Sequence, residues 1–232
     1  MKTAHKIRMN PTPEQVEYLK RACGTRRFIY NWGRAHWEAQ YQAYKLEQET
    51  LPEAEHTLKP PGAMSLKKQF NAIRETAYPW TYDVTKCVVE GAFRHLGQAL
   101  ANFAQSKRGE RKGQRVRFPR FKSKRRGHGS FVLNNDKFRV EGHALVVPKL
   151  GRVNMAEALR FDGKILGAVI SEQAGWWWVS VHVELPAVAA VPAGHALGVD
   201  VGVKDLAVDS DGQRHATRTR VPRPSTASRP PS

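Results

Sequence analysis

The chain has 232 residues, 41% of them hydrophobic, with 38 Lys+Arg against 21 Asp+Glu for a formal net charge of +17. That is enough apolar material for one generous core or two smaller ones, and the cationic excess points to a polyanion, nucleic acid ahead of an anionic membrane surface. No apolar run approaches the roughly 20 residues that span a bilayer, the N-terminal stretch lacks the apolar core of a secretory signal, and Cys23 and Cys87 match no zinc spacing, so a cytoplasmic location is expected.

In chain order, a short extended start (Ala4 to Met9) leads to Thr12-Pro13-Glu14-Gln15. Thr12 can cap a helix, Pro13 suits its first position and Gln15 completes a capping box. Gly24 is expected to break or bend that helix, with a second running from about Thr25 to Glu49. Residues 51 to 63, carrying Pro52, Pro60, Pro61 and Gly62, read as a loop. Leu66, Phe70 and Ile73 mark a short helix, and Val88, Phe93, Leu96, Leu100 and Phe103 form one stripe of a helix from about Val84 to Phe103. The first half is therefore a helical bundle.

From Ser130 the texture changes to short β-runs separated by turn residues. LGAVISE and WWWVSVHVEL read as a hairpin joined by Gln173-Ala174-Gly175, and an antiparallel barrel or sandwich is expected. Pro186 to Gly194 reads as a small-residue linker.

Between bundle and sheet lies a basic segment, Ser106 to Arg126. Eleven of its twenty-one residues are Lys or Arg, against Glu110 alone, so it carries +10 of the total +17. The cations are Lys107, Arg108, Arg111, Lys112, Arg115, Arg117, Arg120, Lys122, Lys124, Arg125 and Arg126. Such a run repels itself unless a polyanion neutralises it. Phe118 and Phe121 could stack on bases while the cations meet phosphates; alternatively, the two rings anchor the segment to the sheet core.

In the tryptophan-rich strand, period two puts Trp177, Val179, Val181, Val183 and Leu185 on a core face. Trp176, Trp178, Ser180, His182 and Glu184 share the other face. There the two indoles are either a stacking platform for nucleotides or are covered by a neighbouring helix.

In the stretch Leu197 to Gly212, Leu197, Val199 and Val201 are expected to bury one face. Asp200 stands on the other, between Gly198 and Gly202. A carboxylate so flanked could be approached by a metal ion and a phosphodiester, yet a hard divalent ion needs oxygen ligands from several positions. A turn-flanking surface aspartate is the simpler reading.

Five blocks in order carry a resemblance: Pro11-Thr-Pro-Glu-Gln, Arg27-Phe-Ile-Tyr-Asn-Trp, Phe118-Pro-Arg-Phe-Lys-Ser-Lys, Val147-Pro-Lys-Leu-Gly and Gly198-Val-Asp-Val-Gly-Val-Lys-Asp-Leu-Ala. Together they resemble the TnpB/OrfB family of insertion-sequence (transposase) proteins, a lineage of RNA-guided DNA endonucleases related to type V CRISPR effectors. The resemblance implies an α+β fold: an oligonucleotide-binding-type antiparallel β-barrel with an inserted helical bundle, followed by the first hairpin of a RuvC-like domain of RNase H fold. Residues 1–10 and 115–190 would form the barrel, 11–114 the helical recognition domain and 195–212 the start of the nuclease.

The partners implied are guide RNA and target DNA, and the cofactor is Mg²⁺. By position, Asp200 matches the first catalytic carboxylate. The family's second and third acids and its Cys-x-x-Cys zinc pairs have no counterpart here. Residues 213–232, rich in Arg, Pro, Ser and Thr, are expected to be disordered, and the hypothesis they suggest is a frameshifted or otherwise truncated ending. The expectation is a nucleic-acid binder of nuclease lineage that does not cut DNA alone; the alternative is a standalone binding module or regulator derived from the family.

Overall fold

The computed structural model describes residues 1–125, 129–186, 197–202 and 206–215. Two compact units are present, Met1–Pro186 and Ala187–Ser232.

The first unit opens with strand β1 (Lys2–Asn10), followed by helix α1 (Pro13–Thr50). The capping box forms: Thr12 Oγ1 accepts from the Gln15 amide, and Gln15 Oε1 accepts from the Thr12 amide at 3.0 Å. Gln15 Nε2 also donates to the Arg152 carbonyl at 2.8 Å, so the cap ties the helix to the sheet.

The expected break at Gly24 does not occur; α1 runs unbroken for 38 residues. A lone helical glycine costs only about 1 kcal/mol, and packing on both sides of it outweighs that. Before it, Tyr18, Leu19, Ala22 and Cys23 enter the sheet's core; after it, Ile29, Tyr30 and Trp32 enter a second core.

That second core is helical. Helices α2 (Ala63–Ala77) and α3 (Lys86–Lys107) supply Leu66, Phe70, Val89, Phe93, Leu96 and Leu100. Ile73, expected on the buried stripe of α2, is exposed, and Phe103 is half-buried. Gly33 marks where α1 and α3 touch: a Cβ there would lie 2.8 Å from Leu96 Cδ2 and 3.1 Å from Phe93.

The remaining strands of the first unit are β2 (Ser130–Asn134), β3 (Arg139–Glu141), β4 (Ala144–Val147), β5 (Gly151–Met155), β6 (Lys164–Gln173) and β7 (Trp176–Glu184). They form one antiparallel sheet in the order β2-β6-β7-β1-β5-β4-β3. The expected barrel is not closed: the end strands β2 and β3, five and three residues long, do not pair with each other.

Even so, Phe131 and Leu133 of β2 share one core with Leu145 and Val147 of β4, so the sheet curls around it. Tyr18 and Leu19 of α1, Cys87 and Val88 at the start of α3, and Val84 just before it also enter that core. Helix α3 also covers the β2 edge, where Asn134 Nδ2 donates to Glu90 Oε2 at 3.0 Å. Along β7 the expected alternation holds, with Trp177, Val179, Val181 and Val183 buried and Leu185 half-buried.

In the second unit, β8 (Val199–Asp200), β9 (Ala207–Asp209) and β10 (Arg214–His215) form a three-stranded antiparallel sheet in the order β10-β9-β8. Leu197, Val199 and Val201 do not bury a face as expected; they are 55%, 57% and 74% exposed. Two- and three-residue strands make a single layer, and no second layer covers it among the described residues. Residues 203–205, most of the linker (187–194) and most of the tail (216–232) fall outside the described residues.

Candidate nucleic-acid interface

On α1, Cys23, Arg26, Arg27, Tyr30, Asn31 and Arg34 recur at spacings of three and four, which places them on one face of the helix. The basic segment docks against that face. Arg34 Nε donates to the Pro119 carbonyl at 3.1 Å, and its guanidinium lies 5.0 Å from the Phe118 ring and 3.9 Å from the Phe121 ring. Asn31 clamps Lys122 in both directions: its Nδ2 donates to the Lys122 carbonyl at 2.9 Å, and its Oδ1 accepts from the Lys122 amide at 2.8 Å. Lys122 Nζ sits 5.2 Å from the Tyr30 ring. Further along, Arg26 Nη1 donates to the carbonyl and hydroxyl of Ser130 at 2.7 and 2.8 Å. The segment thus runs back along α1, from its middle toward its start. Side chains of α1 hold the segment's backbone at Pro119 and Lys122.

A groove of about 530 Å³ opens between helix and segment, lined by Cys23, Arg26, Arg27, Tyr30, Arg120, Phe121, Lys122, Ser123, Gly129 and Ser130. Four of these residues are cations, and none of the described lining residues is acidic. Burial pushes the Cys23 thiol up to about 12, so it stays protonated at neutral pH. Arg26 Nη2 donates to His95 Nδ1 at 2.8 Å. Burial, and then the charges of Arg26, Arg94 and Lys122, hold the His95 ring below its ordinary range, which keeps it neutral and able to accept that bond.

The residues expected from sequence to contact nucleic acid are not one cluster. Arg120, Phe121 and Lys122 line the groove. Phe118 is instead an anchor, packed edge-on against Phe103 at 5.4 Å and beside Trp37 at 5.5 Å, in the helical core rather than the sheet core. Lys107 ends α3, and Arg108, Arg111, Lys112, Arg115 and Arg117 follow in an exposed irregular stretch where Arg108 pairs with Glu110. Lys124 and Arg125 are exposed, and Arg126 lies outside the described residues. Trp176 and Trp178 stand on the sheet's outer face.

The α1 half of the groove was missed from sequence, although Arg26, Tyr30 and Arg34 repeat every four residues within a helix already expected. Lys6 and Arg8 of β1, beside the tryptophans, were missed as well.

Asp200 is exposed on β8, opposite Val208. The nearest acid by register is Asp209, opposite Val199, and its carboxylate is already committed. Asp209 Oδ1 accepts from the Gln213 amide at 2.7 Å and the Asp211 amide at 3.1 Å, and Oδ2 lies 3.3 Å from His215 Nε2. These bonds, the Gln213 amide first, hold its acidity below the usual aspartate range. Mg²⁺ needs several converging oxygens, and among the described residues no three His, Cys, Asp or Glu side chains converge. The donor set described here does not fit the ion.

Residues 1–45 match a family model described as a helix-turn-helix domain, HTH_OrfB_IS605. InsQ of Escherichia coli K12, by its name a candidate RNA-guided DNA endonuclease, is 26% identical over 212 residues, covering 90% of this chain and 47% of InsQ. Over most of its length the chain is thus similar to InsQ, and its first 45 residues match the OrfB-type family model. Two further relatives with names of the same kind are each 25% identical: one from Streptomyces pristinaespiralis, covering 92% of this chain and 49% of the relative, and one from Mycobacterium tuberculosis H37Rv, covering 90% and 48%. The chain spans about half the length of the curated relatives it matches. Among solved structures, a Cas12f1–sgRNA–target DNA complex matches with 10% identity and a TM-score of 0.35, covering 93% of this chain and 57% of that one. The region matched as helix-turn-helix is a strand followed by one uninterrupted helix.

Proposed function

We propose that this chain is a nucleic-acid-binding portion of a TnpB/OrfB-type, RNA-guided endonuclease lineage, taking guide RNA and DNA as partners. One observation carries the reading: the basic segment is pinned along α1 so that Arg27, Arg120 and Lys122 face one groove with no acid among its described lining residues. Backbone clamping by Asn31 and Arg34 leaves the segment's cationic ends free for phosphates. The relatives' names support the polyanion being RNA and DNA.

The proposal is tested by fluorescence anisotropy of labelled RNA and DNA across a salt titration. Affinity is expected to fall log-linearly with salt, and each of Arg120→Ala and Lys122→Ala to lower the slope by about 0.7–0.9. Slopes unchanged in both variants would remove the groove from the interface.

We further propose that the chain does not cleave DNA by itself, because Asp200 has no converging acidic partner among the described residues. Mg²⁺-dependent cutting by the purified chain that disappears in Asp200→Ala would overturn this.

A further inference from the structure

The outer face of the sheet carries a group of side chains that the groove does not use. On β7, Trp176 and Trp178 point away from the core, Trp176 being 53% exposed. On the neighbouring β1, Lys6 lies 4.8 Å from the Trp178 ring centre and Arg8 lies 4.9 Å from that of Trp176. Register sets this arrangement: Arg8 is opposite Trp178 and Lys6 is opposite Ser180. From β6, Gln173 stands opposite Trp176 and Ser171 opposite Trp178, and Gln173 Oε1 accepts from Lys6 Nζ. Neither Lys6 nor Arg8 is ion-paired among the described residues. Trp178 Nε1 is shut off from solvent and has no acceptor among the described residues.

These features choose between occupants. An apolar helix or strand laid on this face would meet Gln173, Ser171, Ser180 and His182 around the indoles, and would leave two cations without counterions. A paired duplex offers no free base face to an indole. An unpaired nucleotide offers a flat π-face, polar edges and a phosphate together. We propose that the outer face of β1, β6 and β7 is a second site, for single-stranded nucleic acid, where a base stacks on Trp176 and Lys6 and Arg8 meet the flanking phosphates. The site rests on the nucleic-acid reading above but on none of the groove's residues.

The test uses the full chain with short oligo(U), oligo(dT) and a blunt duplex, read by anisotropy and by intrinsic tryptophan fluorescence. Both single strands are expected to quench the indole signal. Trp176→Ala should abolish most of that quenching and weaken single-strand binding about tenfold, with an unchanged melting temperature because the side chain is exposed. Trp176→Phe should keep most of the affinity, and Lys6→Ala and Arg8→Ala should each lower the salt slope by about 0.7. Arg120→Ala and Lys122→Ala should leave the quenching amplitude intact. A preference between oligo(U) and oligo(dT) supports the site and tells which strand it holds. Unchanged affinity and quenching in Trp176→Ala, with binding lost in the groove variants, overturns this site and leaves the groove standing. Equal competition by duplex also overturns it. A wild-type chain that binds no oligonucleotide removes both.

Discussion

Ala174 occupies a backbone conformation that side chains with a Cβ resist. The two-residue β6–β7 turn has φ 49° at Ala174 and 78° at Gly175, the mirror-image geometry that matches strand twist and favours Asn-Gly. An alanine there costs about 1 kcal/mol relative to a residue that tolerates the left-handed region. Ala174→Asn is therefore expected to stabilise the chain by about 0.5–1 kcal/mol, raising the melting temperature by about 2 °C. Ala174→Val should lower it, and a calorimetric scan in which the two variants move together would refute the argument. At this scale, what was legible in the sequence was what is local. Thr12 and Gln15 are three residues apart and satisfy each other, so their box could be read directly. Asp209 could not be, since its role depends on how the turn aims the amides of Asp211 and Gln213 back at it. Phe118 could be read only as aromatic among cations, because its partners Phe103 and Trp37 lie on two different helices.

Elements were read by periodicity, and they were misread where tertiary contacts overrule a local signal. Gly24 suggested a break, but α1 enters a core on either side of it and stays whole. The strands of the sheet were legible from alternation, whereas closure depended on how the short end strands meet, which alternation does not encode. Beyond its cores, α1 is held by its own following loop. Glu47 accepts from the Thr57 amide and hydroxyl and from the Leu58 amide at 2.7–2.9 Å, and Trp37 Nε1 donates to the Pro61 carbonyl at 2.8 Å. Those bonds, the Thr57 amide first, hold the Glu47 carboxyl below the usual glutamate range. A depressed folded-state pKa means the attachment is complete above the unfolded value and is lost as pH falls through the folded one. Amide resonances of Thr57 and Leu58 are therefore expected to titrate together, with a midpoint below that of an ordinary glutamate. Glu47→Gln should abolish the titration; its persistence in that variant would assign the loop's attachment to another group.

For the whole molecule, the net charge of +17 sets two opposite responses to salt. In the free chain, the dense cations of residues 107–125 repel one another and the arginines of α1, and this repulsion destabilises the compact state. Screening within a Debye length of about 10 Å at 0.1 M relieves that repulsion, so the melting temperature of the free chain is expected to rise as monovalent salt is added from low ionic strength. A bound strand supplies the missing negative charge directly. At a ligand concentration a hundred times Kd it stabilises by about 2.7 kcal/mol, but its Kd climbs steeply with salt as counterion release loses its advantage. The complex should therefore start well above the free chain in melting temperature and lose that margin as salt increases, until the two curves meet. Differential scanning fluorimetry of the chain with and without a short RNA, at several salt concentrations, reads both slopes at once. Parallel curves would mean that the bound strand is held by contacts other than phosphates, and would move the weight of recognition from the lysines and arginines to the aromatic side chains.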